Sequence, residues 1–211
     1  MLRLFFVFFL SSIALFQLQA QSDYEKDMKA ALSEWDFRNS NLDYENLANE
    51  FYEIYKANKN QWLPKYYSML MQTLAATEKD AKQAIEISNR LEKEYLELEK
   101  LNPDQDEILV LRGMFRTLKV AKDPETYRMT LSSGVLWDFN EALKINPNNP
   151  RATYLSAYFN MQSAPFWESD PKRYCSSMVE AKELFAKENK PELEPQWGEF
   201  QVEEILKSVC N

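Results

Sequence analysis

A turn that contains proline recurs at a fixed interval along the second half of the chain. Pro103, Pro147 and Pro191 are 44 residues apart, and Asn58-Lys59 lies one such interval before Pro103. Proline stops a helix because it has no backbone N–H and its ring clashes with the preceding turn. A regular series of stops limits the chain to consecutive units of similar length, and periods of roughly 20 to 50 residues are typical of repeat architectures.

The segments between these turns place apolar residues at helical spacing. In the unit that ends at the second proline, Val135, Phe139 and Ala142 lie on one face of a helix. Asn149 is a suitable N-cap for the next helix, and Pro150 fits its first position, where the missing N–H costs nothing. The apolar stripe predicted for the first of these two helices is Trp137, Phe139, Ala142, Leu143 and Ile145.

The same patterns along the whole chain predict an all-α fold of about nine helices, with no credible pair of strands. The chain has only three glycines, whereas β-sandwiches and barrels need many glycine-containing turns. The last helix has no partner hairpin and is expected to cap the array. The predicted helices cover residues 23–38, 42–57, 62–76, 80–101, 107–121, 124–145, 150–163, 171–188 and 196–209, with an aromatic loop at 165–169.

This arrangement resembles the tetratricopeptide repeat (TPR), whose second helix carries the pattern A-x3-F and ends before a proline. Small residues follow the proline turns in register, since Gly113 and Ala157 each come ten positions after one. The period differs from the family's, which is about 34 residues, so the hairpins are expected to be longer. The corresponding pattern here is Val135-x3-Phe139-x2-Ala142-x4-Pro147.

The resemblance implies a right-handed superhelix of antiparallel helical hairpins, a TPR-like α-solenoid, with one domain at residues 21–211. Each hairpin would bury its apolar face only by stacking on its neighbours. The first helix of each hairpin would then line the concave face. The family's peptide-clamp residues are not matched in this chain, so none of them carries over.

The N-terminus has the features of a secretory signal peptide over residues 1–20. Arg3 supplies a positive charge, residues 4–16 are mostly apolar, and Leu18-Gln19-Ala20 is an acceptable cleavage site. The alternative is an uncleaved anchor helix, but a membrane span needs about 20 apolar residues. We therefore expect cleavage before Gln21, export to the periplasm or medium of a bacterium, and no stable membrane insertion afterwards.

The charge of the chain argues against two classes of partner. The exported form loses Arg3 and no acid, so it would carry 24 basic and 33 acidic side chains, a net charge of −9. Such a surface repels the phosphates of nucleic acids and anionic lipid head groups. A protein or peptide partner is not disfavoured in this way.

The two cysteines are expected to form a disulfide, because such bonds persist in exported chains. Cys175 lies near the start of one predicted helix and Cys210 at the end of the next. If these helices are antiparallel neighbours, the two ends meet and a bridge is geometrically feasible. The alternative is a pair of unrelated thiols.

The residue types that most catalytic and metal sites need are missing. The chain has no histidine, which excludes the commonest general base and the commonest metal ligand. A pair of carboxylates could still act as a hydrolase, either Glu168 with Asp170 or Asp104 with Asp106. Since Asp170 precedes one predicted helix, and Asp104 and Asp106 flank the start of another, helix capping is the favoured interpretation, and we expect no catalytic residue, metal or cofactor.

Aromatic and methionine side chains are the remaining candidates for a binding surface. Tyrosine offers area and a hydroxyl, while methionine adapts its shape to a partner. A second patch is the loop that contains Phe166 and Trp167, since exposed aromatic groups are costly. The alternative is that all of these are ordinary core residues. The residues predicted on the concave face are Tyr66, Leu70, Met114, Arg151, Tyr154, Tyr158 and Met161.

These features predict an exported, non-enzymatic helical-repeat protein that binds a protein or peptide on its concave face. A second hypothesis is a carrier that encloses a small apolar or aromatic ligand between helices. A third, more distant one is a carboxylate-dependent hydrolase of envelope glycans.

Overall fold

The computed structural model describes residues 23–36 and 41–210, and within these ranges the chain is helical, with no strand. The predicted all-α class is therefore confirmed. The predicted signal peptide, residues 1–20, lies outside the described residues. The helices are α1 (residues 23–34), α2 (Tyr44–Ala57), α3 (Trp62–Ala76), α4 (Ala81–Leu98), α5 (Gln105–Lys122), α6 (Pro124–Ile145), α7 (Pro150–Ser163), α8 (Cys175–Lys187) and α9 (Glu199–Ser208), with short 3-10 helices at Glu99–Leu101, Ala164–Trp167 and Pro171–Tyr174.

Local capping residues determine several helix ends. Asp123 accepts a hydrogen bond from the Thr126 backbone N–H, and Asn149 accepts one from that of Ala152. Each of these acceptors satisfies a backbone donor that the first helical turn leaves unpaired. As a result α6 and α7 begin where the sequence predicts. The bounds of α3 also agree with the prediction, although its N-cap residue, Gln61, makes no side-chain capping bond.

The C-terminal helices differ from the prediction in their starting points. The segment predicted as one helix from 171 to 188 begins with the 3-10 helix Pro171–Tyr174 before α8. The last helix begins at Glu199 because Gly198 has a φ of 113°, a left-handed conformation that suits glycine and interrupts the helix.

Consecutive helices pack against each other from α2 to α9, and α3, α5 and α7 also contact one another in series. This order of contacts is the one expected of stacked hairpins. The right-handed superhelical arrangement itself stays a prediction. Within the described ranges, no helix is both long and apolar enough to span a bilayer.

The buried face of α6 is rotated from the stripe that the sequence predicts. Val135, Asp138, Phe139 and Ala142 are buried, whereas Trp137 is 52% exposed. Successive helical residues are about 100° apart, so a residue next to the buried face readily points to solvent. The predicted stripe is therefore wrong at Trp137, and also at Ile145, which is 55% exposed.

Gly113 lies where α5 approaches α6 most closely. A Cβ atom at this position would be 2.3 Å from Cε1 of Phe139. Alanine is intrinsically the better helix former by about 1 kcal/mol, but overpacking a core typically costs about 1 to 3 kcal/mol. We expect Gly113→Ala to lower the free energy of unfolding by about 2 kcal/mol, as measured by urea denaturation.

Gly134 provides the matched control, because a Cβ atom there would meet nothing within 4 Å. Gly134→Ala should raise the free energy of unfolding by up to about 1 kcal/mol through helix propensity alone. If Gly113→Ala and Gly134→Ala changed the free energy of unfolding in the same direction, the close packing of α5 on Phe139 would be contradicted.

Candidate ligand-binding cleft

A cleft with a volume of about 320 Å³ opens between the end of α5, the start of α6 and the end of α7. Only Asp123 separates α5 from α6, so the two helices form a tight hairpin, and α7 packs against both. The residues that line the cleft are Thr117, Val120, Ala121, Pro124, Arg128, Tyr158, Phe159, Gln162 and Ser163.

The floor of this cleft belongs to a small apolar cluster. Val120 and Phe159 are buried and pack together with Val135 and Phe139, and Tyr127 covers the cluster from α6. Such a surface offers an apolar ligand a dry contact area. The cleft therefore has the apolar lining that is usual in small-molecule sites.

Two exposed aromatic rings stand beside the cleft, on the 3-10 helix that follows α7. Phe166 is 47% exposed and Trp167 is 57% exposed, and their ring centroids are 4.7 Å apart in an edge-to-face arrangement. The sequence predicts this loop as a binding patch, and its two aromatic side chains do lie on the surface. Large exposed rings of this kind mark interaction sites more often than isolated aliphatic residues do.

Arg128 links the cleft to the aromatic loop. Its guanidinium carbon lies 4.1 Å from the centroid of the Phe166 ring, close enough for a cation–π interaction. In the part of the chain that the structure describes, Arg128 forms no ion pair. A guanidinium in this situation is suited to pair with a carboxylate that a ligand brings.

Tyr158 lines the cleft from α7 and is half-buried, and its ring lies 6.0 Å from that of Tyr154. Tyr154 is buried behind it. Burial, with a smaller electrostatic contribution from the neighbouring Tyr158 side chain, raises the pKa of Tyr154 well above its ordinary value. Tyr154 therefore stays neutral, and Tyr158 is the tyrosine hydroxyl that a ligand in the cleft can reach.

The other residues predicted on the concave face are mostly enclosed. Met114 is half-buried like Tyr158, whereas Tyr66, Leu70, Arg151, Tyr154 and Met161 are buried. The expectation that these five side chains are exposed is therefore not met. Their part in binding a partner stays a prediction that would need the covering chain to move.

Tyr154 and Met161 pack against residues of α8 and α9, whereas Tyr66 and Arg151 contact the proline-rich segment between these two helices, residues 188–198. The Trp197 indole N–H donates to the Tyr66 hydroxyl at 3.0 Å, and the Tyr67 hydroxyl donates to the Leu193 carbonyl at 3.0 Å. These bonds hold the segment against α3. In the sequence, Pro191 and Pro195 indicate only a break between two helices, so the contact of this segment with α3 was not predicted.

Arg151 anchors the same segment from beneath. It is completely buried, lies 3.0 Å from Glu107 and also bonds to Glu188, while Lys190 reaches Glu107 at 2.7 Å. Burial alone would lower the pKa of Arg151, but the charges and hydrogen bonds of Glu107 and Glu188 outweigh it and raise that pKa. A sequence signal for this pair does exist, because Glu107 and Arg151 are one 44-residue period apart.

Two of the four carboxylates considered for hydrolysis, Asp170 and Asp106, have structural partners, whereas Asp104 precedes α5 without the side-chain capping bond that the sequence predicts. Asp170 accepts a hydrogen bond from the Lys172 backbone N–H at 2.9 Å, as a capping residue does. Asp106 accepts from the side-chain amides of Asn146 and Asn149 at 2.8 and 2.9 Å. Across residues 23–36 and 41–210, no three carboxylate, cysteine or histidine side chains are grouped to hold a metal ion.

The predicted disulfide between Cys175 and Cys210 is present, with an S–S distance of 2.04 Å and a Cα–Cα distance of 5.7 Å. It joins the start of α8 to the residue that closely follows α9. The two helices pack against each other, which brings these ends together.

Comparison with known proteins finds a likeness at the level of the fold. Neither a protein-family model nor a curated protein matches the sequence. Among solved structures, the chain is similar to the HusA haemophore from Porphyromonas gingivalis, with 22% identity and a TM-score of 0.75 over 90% of this chain and 92% of that one. At this level of identity the likeness shows a shared helical fold and no more.

Proposed function

We propose that this protein is an exported carrier of a flat, largely apolar ligand that bears a carboxylate, and that the ligand binds between α5, α6 and α7. The observation that carries this proposal is the combination of an apolar cleft, two exposed aromatic rings and Arg128 beside them, which forms no ion pair with any described residue. The proposal assigns no catalytic step to the chain. The predicted signal peptide and the disulfide support export.

The aromatic rings favour a flat ligand over a globular one. A planar π-system can stack on one ring and meet the edge of the other, and such contacts add about 0.5 to 1.5 kcal/mol to simple burial. Phe166 and Trp167 present an edge-to-face pair of this kind to solvent. Binding would cover the apolar area that the free protein leaves exposed.

The size of the cleft also bears on the ligand. Its volume of about 320 Å³ lies at the lower end of the range for small-molecule sites, about 300 to 1,000 Å³. A ligand larger than the cleft would extend over the aromatic loop. One part of the ligand would then be enclosed by Val120 and Phe159, and the other would rest on Trp167.

The fold likeness to a haemophore makes haem, or a related tetrapyrrole, the leading ligand class. Haem is flat and apolar, and it carries two carboxylates at one edge, which match the three features of the site. Arg128 would pair with a carboxylate. Because the chain has no histidine, Tyr158 would be the cleft residue best suited to approach an iron ion.

The test is a titration of the exported form, residues 21–211, with hemin, followed by absorbance and tryptophan fluorescence. We expect the double variant Phe166→Ala/Trp167→Ala to bind hemin at least about tenfold more weakly. A tenfold loss of affinity corresponds to about 1.4 kcal/mol of binding free energy, which we assign to the lost aromatic contacts. Trp137→Ala is the matched control, since Trp137 is equally exposed but lies outside the cleft. The hemin affinity of Trp137→Ala should equal that of the parent.

The role of Arg128 is tested by comparing hemin with its dimethyl ester. The parent should prefer the free acid, and Arg128→Met should remove that preference, while Arg173→Met at an exposed site on the 3-10 helix before α8 should not. Equal affinity of the parent and the aromatic double variant for hemin would refute the assignment of the cleft.

An interaction module for a protein or peptide, the function predicted from the repeat pattern, is the second candidate. It is favoured by a polar cleft on α2, α3 and α4, which is separate from the proposed carrier site. A TPR-like superhelix would suit this role. The two functions are compatible because their sites share no residue.

A further inference from the structure

A second cleft, with a volume of about 440 Å³, lies between α2 and α4 above α3. It differs from the carrier cleft in being lined by charged and hydrogen-bonding groups. The residues that line it are Asn49, Tyr52, Tyr55, Lys65, Ser68, Gln72, Arg90, Glu94 and Glu97.

The next repeat unit shows what fills the corresponding place there. Asp138 on α6 is completely buried, and it is held by two arginines of α5. Arg112 reaches Asp138 Oδ1 at 2.7 Å, and Arg116 reaches Oδ2 at 2.8 Å. The buried carboxylate is stable in this position because two guanidinium groups neutralise it and satisfy its oxygens.

One period earlier, the same positions have an acid but lack the two arginines. Residues 68, 72 and 94 are 44 positions before 112, 116 and 138, and they are Ser68, Gln72 and Glu94. The hydroxyl and the amide are shorter than guanidinium side chains, so they leave the space above the acid open. The cleft therefore corresponds to the arginine site of the neighbouring unit without the two arginines of the preceding helix. Arg90 of α4 reaches it from the rim, where it donates to the Gln72 side-chain oxygen at 2.8 Å.

Glu94 is only partly compensated in this cleft. Arg90, which is largely exposed, approaches it at 3.5 Å. Burial raises the pKa of Glu94, as it also raises that of Asp138. The two acids differ in geometry, because Glu94 has one guanidinium at 3.5 Å whereas Asp138 has two within 2.8 Å. A further cation at Glu94 would therefore add an ion pair of the kind that Asp138 already has.

The other groups in the cleft favour a ligand with a planar, positively charged group. Lys65 is paired with Glu97 at 2.7 Å and lies 4.8 Å from the Tyr55 ring centroid, so it acts on Glu94 through its charge, while its ion pair is with Glu97. Tyr52 is 45% exposed at the rim. Guanidinium groups stack on tyrosine faces and pair with carboxylates in one arrangement, which ammonium groups do less well.

We propose that this cleft binds an arginine side chain of a basic peptide segment on a partner protein. The guanidinium would pair with Glu94 and stack on Tyr52, in the role that Arg112 and Arg116 have toward Asp138. The acidic net charge of the chain, −8 at pH 7, would steer a basic segment toward this surface.

The test uses the exported form and the blocked tripeptide acetyl-Gly-Arg-Gly-amide, with the citrulline tripeptide as a neutral isostere. We expect saturable binding of the arginine peptide below about 10 mM by NMR titration, and at least about tenfold weaker binding of the citrulline peptide. Glu94→Gln should reduce binding of the arginine peptide at least tenfold. Glu86→Gln, the same change at an exposed site on α4 outside the cleft, should leave it unchanged.

A second variant tests the comparison between the Glu94 cleft and the Asp138 site of the next repeat unit. Gln72→Arg would place a guanidinium where the neighbouring unit has Arg116, and it should block the peptide while the chain stays folded by circular dichroism. Equal affinity for the arginine and citrulline peptides, or unchanged binding by Glu94→Gln, would overturn the proposal. Hemin binding serves as an independent readout, because these substitutions lie outside the carrier cleft.

Discussion

Replacing Arg151 by methionine is expected to lower the free energy of unfolding by about 3 to 5 kcal/mol. The guanidinium is completely buried between Glu107 and Glu188, and it donates to the Trp197 carbonyl at 3.3 Å. Without it, the equally buried Glu107 keeps only Lys190 as a cationic partner and must be neutralised or exposed. Since small domains have a total stability of about 5 to 15 kcal/mol, this loss is a large fraction.

The measurement is urea denaturation, together with hydrogen exchange of residues 188–198. Exchange in this segment should accelerate more than exchange in α2, because Arg151 holds Glu188 and Trp197. In a double-mutant cycle with Glu107→Gln, the two substitutions should cost less together than the sum of their separate effects. Arg173→Met, at an exposed position, is the control and should change stability by no more than about 0.5 kcal/mol. A loss below about 1 kcal/mol for Arg151→Met would show that the cluster does not hold the segment.

Removing the disulfide by Cys175→Ser/Cys210→Ser is expected to cost about 4 kcal/mol. The two cysteines are 35 residues apart, and a cross-link over such a loop stabilises mainly by restricting the unfolded chain. The denatured variant should also expose more surface, so the slope of unfolding free energy against urea should increase. Detachment of α9 from α8 is the expected local consequence.

The parent under reducing conditions is the natural comparison for this variant. Dithiothreitol should lower the stability of the parent to nearly that of the double-serine variant, and it should not affect the variant. If the parent unfolds at the same urea concentration with and without reductant, and the bond is shown to be intact in the first sample and reduced in the second, the bond contributes little to stability. Limited proteolysis near residue 198 would locate any release of α9.

The helices were predictable because their signals are local. Asp123 with Pro124, and Asn149 with Pro150, are adjacent in sequence, and each pair determines one helix start by capping. The same is true of the stop at Asn146, whose backbone N–H closes the preceding helix on Ala142. The disulfide was predictable as well, since it depends only on two neighbouring helices running antiparallel.

The candidate carrier cleft was predictable only in part. The loop with Phe166 and Trp167 is visible in the sequence, because two large aromatic residues follow a proline there. Val120 and Arg128 were not predicted, since their relation to this loop depends on how α7 lies across the α5–α6 hairpin. Tyr158 belongs to the predicted face, but it reaches the cleft from the end of α7.

The sequence by itself determined the helical class, the helix ends with their own caps, the 44-residue repetition and the cysteine pair, because these depend on contacts within or between adjacent segments. Only the tertiary structure decided which face of each helix is covered. The chain around Trp197 folds back onto Tyr66, which is 131 residues away, and encloses residues that would otherwise form an open face. Such long-range packing depends on the combined shape and charge of several helices, and no local pattern in the sequence records it.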